Sequence, residues 1–131
     1  MNKLEDDYHC FVCGEENPHG LHLKFSIHEG KVSSEFVPQK IHQGYKDIVH
    51  GGIISTILDE AMVKVALMQG MPAVTVEIKV RFKNPLMVGE KTILEATITK
   101  MNKKIIETSA EIRKKDGTLI AESQAKLLRQ D

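Results

Sequence analysis

The chain has 131 residues, the length of a single domain; 41% are hydrophobic but only 5% aromatic with no Trp, so its core must be built from Ile, Val, Leu, Met and Ala. Lys and Arg number 18 and Asp and Glu number 18, a formal balance of zero that argues against a polyanionic partner such as nucleic acid. No apolar run approaches bilayer length, and the acidic start Met1-Asn2-Lys3-Leu4-Glu5-Asp6-Asp7-Tyr8 lacks the apolar core of a signal peptide; a cytoplasmic protein with reduced thiols at Cys10 and Cys13 is expected, with no membrane partner.

Residues 1–20 read as an irregular segment holding a Cys-x-x-Cys-Gly turn and punctuated by Gly14, Asn17-Pro18 and Gly20, and residues 21–131 as the folded domain. Leu21, Leu23, Phe25 and Ile27 alternate with polar residues and predict a half-buried strand from Leu21 to His28. Glu29-Gly30-Lys31 is a hairpin turn, and Val32 to Val37 returns before Pro38. Gln39 to Val49 is a polar connection. From Gly51 to about Gln69 the apolar period becomes helical, closed by Gly70 and Pro72. Alternation then resumes in four pieces: Val74–Phe82, Lys91–Met101, Ile105–Lys114 and Leu119–Leu128, with turns at Asn84-Pro85, Asn102-Lys103-Lys104 and Asp116-Gly117. The order β-β-α-β-β-β-β gives one helix to six strands. One helix covers such a sheet only if the sheet curls around it, which predicts an α+β domain of six antiparallel strands around one long central helix.

On that helix Ile53, Ile54, Ile57, Leu58, Ala61 and Val65 form the face expected to meet the sheet. Thr56, Glu60 and Lys64 form a stripe that reads as solvated, with Glu60 and Lys64 as an i,i+4 pair. Asp59 lies on neither, beside Ser55, Met62, Val63 and Ala66. That pattern has two readings. One is a carboxylate at a subunit interface, partly dry and strengthened as a base; the other is a solvated surface acid next to Glu60.

Asp47-Ile48-Val49-His50-Gly51-Gly52 leads into the helix. Gly51 and Gly52 let a ligand approach bare backbone, and free N–H groups at a helix start stabilise a negative oxygen such as the oxyanion of an attacked thioester. A glycine pair needed only for a tight turn is the plainer reading of those two residues alone.

His50-Gly51-Gly52, six residues and then Asp59 resembles the PaaI-type and 4-hydroxybenzoyl-CoA-thioesterase-like hotdog proteins. The resemblance runs on through Gln43-Gly44-Tyr45, Thr75-Val76-Glu77 and Arg81-Phe82-Lys83-Asn84-Pro85. Cys10-Phe11-Val12-Cys13-Gly14 with Asn17-Pro18-His19-Gly20-Leu21 is similar to a subgroup that includes mitochondrial-type long-chain acyl-CoA thioesterases. The resemblance implies a single hotdog domain that hydrolyses acyl-CoA thioesters to free acid and CoA. Asp59 matches the catalytic carboxylate, as general base or nucleophile. Gly51 matches the oxyanion donor, Thr75 a hydroxyl that places water, and His50 the motif histidine. Where some relatives carry a side-chain amide this chain has Gly44, leaving Gln43, His42 or the backbone alone for that role.

Geometry adds that Asp59 lies eight residues past Gly51, about 12 Å along a helix, too far for both to reach one reacting group in a single chain. Two helices antiparallel across a twofold axis solve this, so a homodimer, or a dimer of dimers, is expected. The acyl group then enters an apolar tunnel for which Ile54, Leu58, Met62 and Val74 are candidates, while Lys79, Arg81 and Lys83 either meet CoA phosphates or form a solvated strand face. No metal or organic cofactor is required. Cys10, Cys13, His19 and His22 could hold zinc, but the spacing is short and His22 falls in a predicted strand, which favours a structural turn over a metal or redox site. The rivals to hydrolysis are a hydratase or dehydratase on the same fold, for which no His–acid pair is seen, and a non-catalytic acyl-CoA sensor, whose usual fused output domain has no room before a first strand near residue 21.

Overall fold

The computed structural model describes residues 4–131. Six strands, β1 (Ser26–His28), β2 (Lys31–Phe36), β3 (Ala73–Phe82), β4 (Thr92–Met101), β5 (Ile105–Lys114) and β6 (Leu119–Arg129), form one antiparallel sheet in the order β1-β2-β4-β5-β6-β3. The helix α1 (Gly51–Leu67) lies between β2 and β3 in sequence and carries the chain from one side of the sheet to its far edge. It packs against β2, β3, β4, β5 and β6. This is the sheet curled around one helix expected from the order of elements, and the hotdog fold that the resemblance implies.

The strands form where alternation matches the two faces of a pleated sheet. In β5, Ile106, Thr108, Ala110 and Ile112 are buried while the residues between them are half-exposed. In β6, Ile120, Ala121, Ser123, Ala125 and Leu127 are buried. These meet Ile54, Ile57, Leu58, Ala61, Met62, Val65 and Ala66 of α1 in one core. At 100° per residue that buried set spans roughly half the helix circumference, wider than the stripe read from sequence. Met62 and Ala66, expected on a separate patch beside Asp59, therefore belong to the chain's own core, and Ile53 is only half-buried.

Three further expectations are corrected. The first strand does not begin at Leu21: β1 holds only Ser26–His28. Upstream, His22 takes a left-handed φ of 54°, while Leu21 N and Leu23 N donate to Phe11 O and Val12 O. Those donors are spent on the N-terminal segment, and Val12 and Leu23 enter the core together. The 39–49 connection is not merely polar. It contains a 3-10 turn (Lys40–His42), an antiparallel bridge between Gln43 and Val49, and a bridge from Ile48 to Met87. The helix stops at Leu67, short of Gln69, because Gly70 N and Met71 N turn back to Leu67 O and Ala66 O, with Gly70 at φ 84°.

Among the described residues no helix is long and apolar enough to cross a membrane. Two buried threonines separate two kinds of polar burial. Thr92 Oγ1 donates to Phe36 O at 2.7 Å, whereas Thr108 Oγ1 has no partner among the described residues. A buried hydroxyl with a partner contributes net stability, and an orphan costs its desolvation. We expect Thr92→Val to lower the unfolding free energy by about 1 kcal/mol and Thr108→Val to raise it by about 1 kcal/mol, measured by urea denaturation at constant m-value.

Candidate active site

Asp59 sits on the border of the buried helix face and is half-buried. Thr75 Oγ1 donates to Asp59 Oδ1 at 2.6 Å, a short charge-assisted bond that fixes how the carboxylate is turned. No hydrogen bond or ion pair among the described residues engages Asp59 Oδ2.

Thr75 reaches Asp59 because β3 is irregular. Its pairing with β6 shifts register between Thr75 and Glu77, leaving Val76 as an extra residue. Such a bulge re-aims side chains. Past it, Ile78, Val80 and Phe82 oppose Ala125, Ser123 and Ala121, whose side chains are buried under the helix. Thr75 opposes the buried Leu127, so it shares the helix-side face with Ile78 and Phe82. Glu77, Lys79 and Arg81 oppose Lys126, Gln124 and Glu122 on the outer face. Lys79 and Arg81 line a surface depression there with Lys31, Glu95, Glu111 and Glu122, and Lys83 Nζ lies 3.8 Å from Glu122. In a single chain the three cations thus stand on the opposite side of the sheet from Asp59.

At the start of α1 the backbone donors can be followed one by one. His50 is the N-cap, in extended conformation, and its Nδ1 accepts from Gly52 N at 2.8 Å, so the neutral ring carries its proton on Nε2. His50 O accepts from Ile53 N and Ile54 N. Gly51 N–H is the one donor of this first turn that meets no acceptor among the described residues. A Cβ on Gly52 would lie 3.0 Å from His50 Nδ1, tight enough to disturb the cap, whereas one on Gly44, where some relatives carry an amide, would lie 3.4 Å from His50 Cα and Cδ2, an ordinary contact.

Of the alternatives for that amide's role, His42 points inward. It is buried, its Nδ1 accepts from Gln39 N at 2.9 Å, and its ring is tilted against Phe36 at 5.4 Å; burial holds its pKa below the usual imidazole value. Gln43 Oε1 accepts from Asp47 N at 3.0 Å, bracing a loop in which Asp47 has a φ of 62°. Ile54, Leu58 and Met62, read as tunnel candidates, are buried in the chain's own core, and Met62 Sδ accepts from Ser123 Oγ at 3.6 Å; Val74 is half-buried beside Thr75.

Two features escaped the sequence reading. Phe82 rests its ring on Gly51, where an added Cβ would lie 3.4 Å from Phe82 Cζ. Its distance in sequence from the motif hid this, although it ends an alternating apolar series. Glu60 is not on a solvated stripe paired with Lys64. It is half-buried under the N-terminal segment, accepts from Cys10 Sγ at 3.3 Å, and forms no ion pair with Lys64 among the described residues.

Comparison with known proteins fits this geometry. A family described as the thioesterase superfamily matches residues 46–121, more than half the chain and all of the segment from the loop before His50 into β6. Human acyl-coenzyme A thioesterase 13 is 29% identical over 98 residues, 72% of this chain and 70% of that protein. The PaaI protein of E. coli, from a phenylacetic acid degradation operon, superposes with a TM-score of 0.80 at 20% identity over 85% of this chain and 81% of that one. A crystallised thioesterase superfamily protein superposes with a TM-score of 0.87 at 22% identity over 92% of this chain, which spans 60% of that longer one. The chain that places an oriented aspartate on this helix and an unpaired glycine N–H at its start belongs to the thioesterase superfamily.

Proposed function

We propose that this protein hydrolyses acyl-CoA thioesters to a free carboxylic acid and CoA, using Asp59 of one protomer and the Gly51 N–H of another. The observation that carries the reading is the pairing of a carboxylate oriented by Thr75 with a helix-start N–H that nothing among the described residues consumes. Similarity to an acyl-CoA thioesterase supports the substrate class.

The chemistry follows from what each group can do. Asp59 takes a proton from water as the water oxygen bonds to the thioester carbon, and Gly51 N–H donates to the oxygen that becomes negative. When the carbonyl reforms, the C–S bond breaks and CoA leaves as a thiolate that recovers the proton. Alternatively the carboxylate itself attacks and water cleaves the resulting anhydride; both routes need the same two groups. Water, Asp59 and a backbone amide suffice, with no cofactor. His50 acts as a positioning residue, holding Gly52 N so that Gly51 N–H alone remains to donate.

The two-chain site is supported by β3. This ten-residue strand has one neighbour, β6, and its other edge is open among the described residues. Its helix-side Ile78 and Phe82 and the bulge residue Val76 are exposed. A long apolar edge is covered in a stable protein. A second copy docked there about a twofold axis brings a second α1 alongside the first, the arrangement that lets Asp59 and Gly51 of different chains converge.

The test is thiol release from a panel of acyl-CoAs. Asp59→Asn should lower kcat by about 10² to 10⁴, and saturable binding without release by the wild type would mark a sensor and end this reading. Thr75→Val should cost about tenfold, the value of one hydrogen bond to a charged group. Gly51→Pro removes the N–H, and Gly51→Ala, which keeps the N–H and adds a Cβ 3.4 Å from Phe82 Cζ, is its control for bulk. Proline suits the first helical position, and the extended His50 before it is compatible with proline. Helical circular dichroism should be unchanged while kcat falls by about 10² to 10³; full activity would remove Gly51 from the mechanism.

A further inference from the structure

Cys10, Cys13 and Glu60 lie outside the machinery described so far. Residues 10–14 make a tight turn in which Gly14 N donates to Cys10 O at 2.9 Å. A Cβ on Gly14 would fall 2.4 Å from Cys10 N, so the turn admits only glycine. The turn is fixed to the body of the protein by Val12 in the core and by the bonds from Leu21 N and Leu23 N. It delivers both thiols to Glu60 on α1. The ligand atoms of Cys10, Cys13 and Glu60 all lie within 4.8 Å of one another, each residue half-buried, and Cys10 Sγ is 3.3 Å from Glu60 Oε2.

Three groups that each become anionic on losing a proton are thus gathered where water reaches them only partly. A dication among them offsets the cost of gathering three such groups. We propose that Cys10, Cys13 and Glu60 form a binding site for a divalent transition metal of the zinc type, with water completing a tetrahedron. Zinc–sulfur and zinc–oxygen bonds of about 2.3 and 2.0 Å give tetrahedral edges of about 3.5 to 3.8 Å, close to the separation already present between Cys10 and Glu60. On binding, each thiol releases its proton to solvent and forms a metal–sulfur bond, while Glu60 enters as the carboxylate. Two thiolates and a carboxylate leave one net negative charge on the site, and Lys64, the cation that acts on Cys13, lies one turn further along α1. The histidines weighed from sequence are not part of the set: His22 Nε2 faces Asn17 O, and His19 is exposed. The metal would clamp the N-terminal segment to the helix one residue from Asp59, and its binding does not depend on the proposed hydrolysis.

Cobalt reports the coordination directly. The full chain, reduced and freed of metal with a chelator, is titrated with Co²⁺ and followed by absorption. The expected result is one equivalent per chain, with a thiolate-to-cobalt charge-transfer band and the visible bands of a tetrahedral centre, displaced by Zn²⁺. The bands should be lost in the Cys10→Ser, Cys13→Ser double variant, altered in Glu60→Gln, and kept in the His19→Ala, His22→Ala double variant. Zinc should raise the melting temperature of the wild type but not of the cysteine variant. Absence of a charge-transfer band in the folded wild type overturns the proposal without recourse to any variant. Bands unchanged in Glu60→Gln, or lost in the histidine variant, overturn the ligand set.

Discussion

The demand that α1 bury about half of its circumference governs this structure. Seven apolar side chains from Ile54 to Ala66 are sealed from water, each contributing of the order of 1 to 3 kcal/mol in proportion to its size, and no flat sheet touches so wide an arc. The sheet therefore wraps the helix from β2 round to β3. Asp59 falls where that wrapping ends. It is near enough to the core to be partly shielded and near enough to the last strand for Thr75 to reach it. The same limit leaves β3 at the margin, with apolar side chains and one row of backbone groups uncovered.

At the start of the helix the controlling fact is the obligation of backbone donors to find acceptors. His50 meets most of it: its ring takes Gly52 N, and its carbonyl takes Ile53 N and Ile54 N. Gly52 supplies the space in which that ring sits. What remains is a single N–H with the helix dipole behind it and the Phe82 ring beside it, an arrangement suited to one small anionic group. Acid and donor are placed by the same helix yet separated by about 12 Å along it, and this makes pairing with a second chain a chemical requirement of the proposed reaction.

The N-terminal segment joins this framework at two levels. Val12 and Leu23 extend the aliphatic core, and Cys10 and Cys13 engage Glu60 next to Asp59. The segment read as irregular is thus packed against the helix that carries the proposed acid, and it turns what looked like a solvated Glu60 into a half-buried one. An exposed i,i+4 pair with Lys64 is worth only a few tenths of a kcal/mol, so covering Glu60 forgoes little.

The order of elements, the placement of α1 and five of the six strands within a residue or two, and the His50-Gly51-Gly52…Asp59 spacing were all legible in the sequence, because hydrophobic period and turn chemistry act over neighbouring residues. The short β1 was not: the positive φ of His22 and the hydrogen bonds to Phe11 and Val12 come from a partner ten residues away, which alternation does not reveal. Simple alternation would put Thr75 on one face with Lys79 and Arg81; the bulge at Val76 sends Thr75 to Asp59 and the two cations to the outer surface. Equally, a helical wheel distinguishes faces but not how far a sheet will wrap, so Met62 and Ala66 were assigned to the wrong surroundings. Local chemistry along the chain determined which residues are equipped to react; only the tertiary fold, by setting strand order, register and the extent of burial, decided which of them meet.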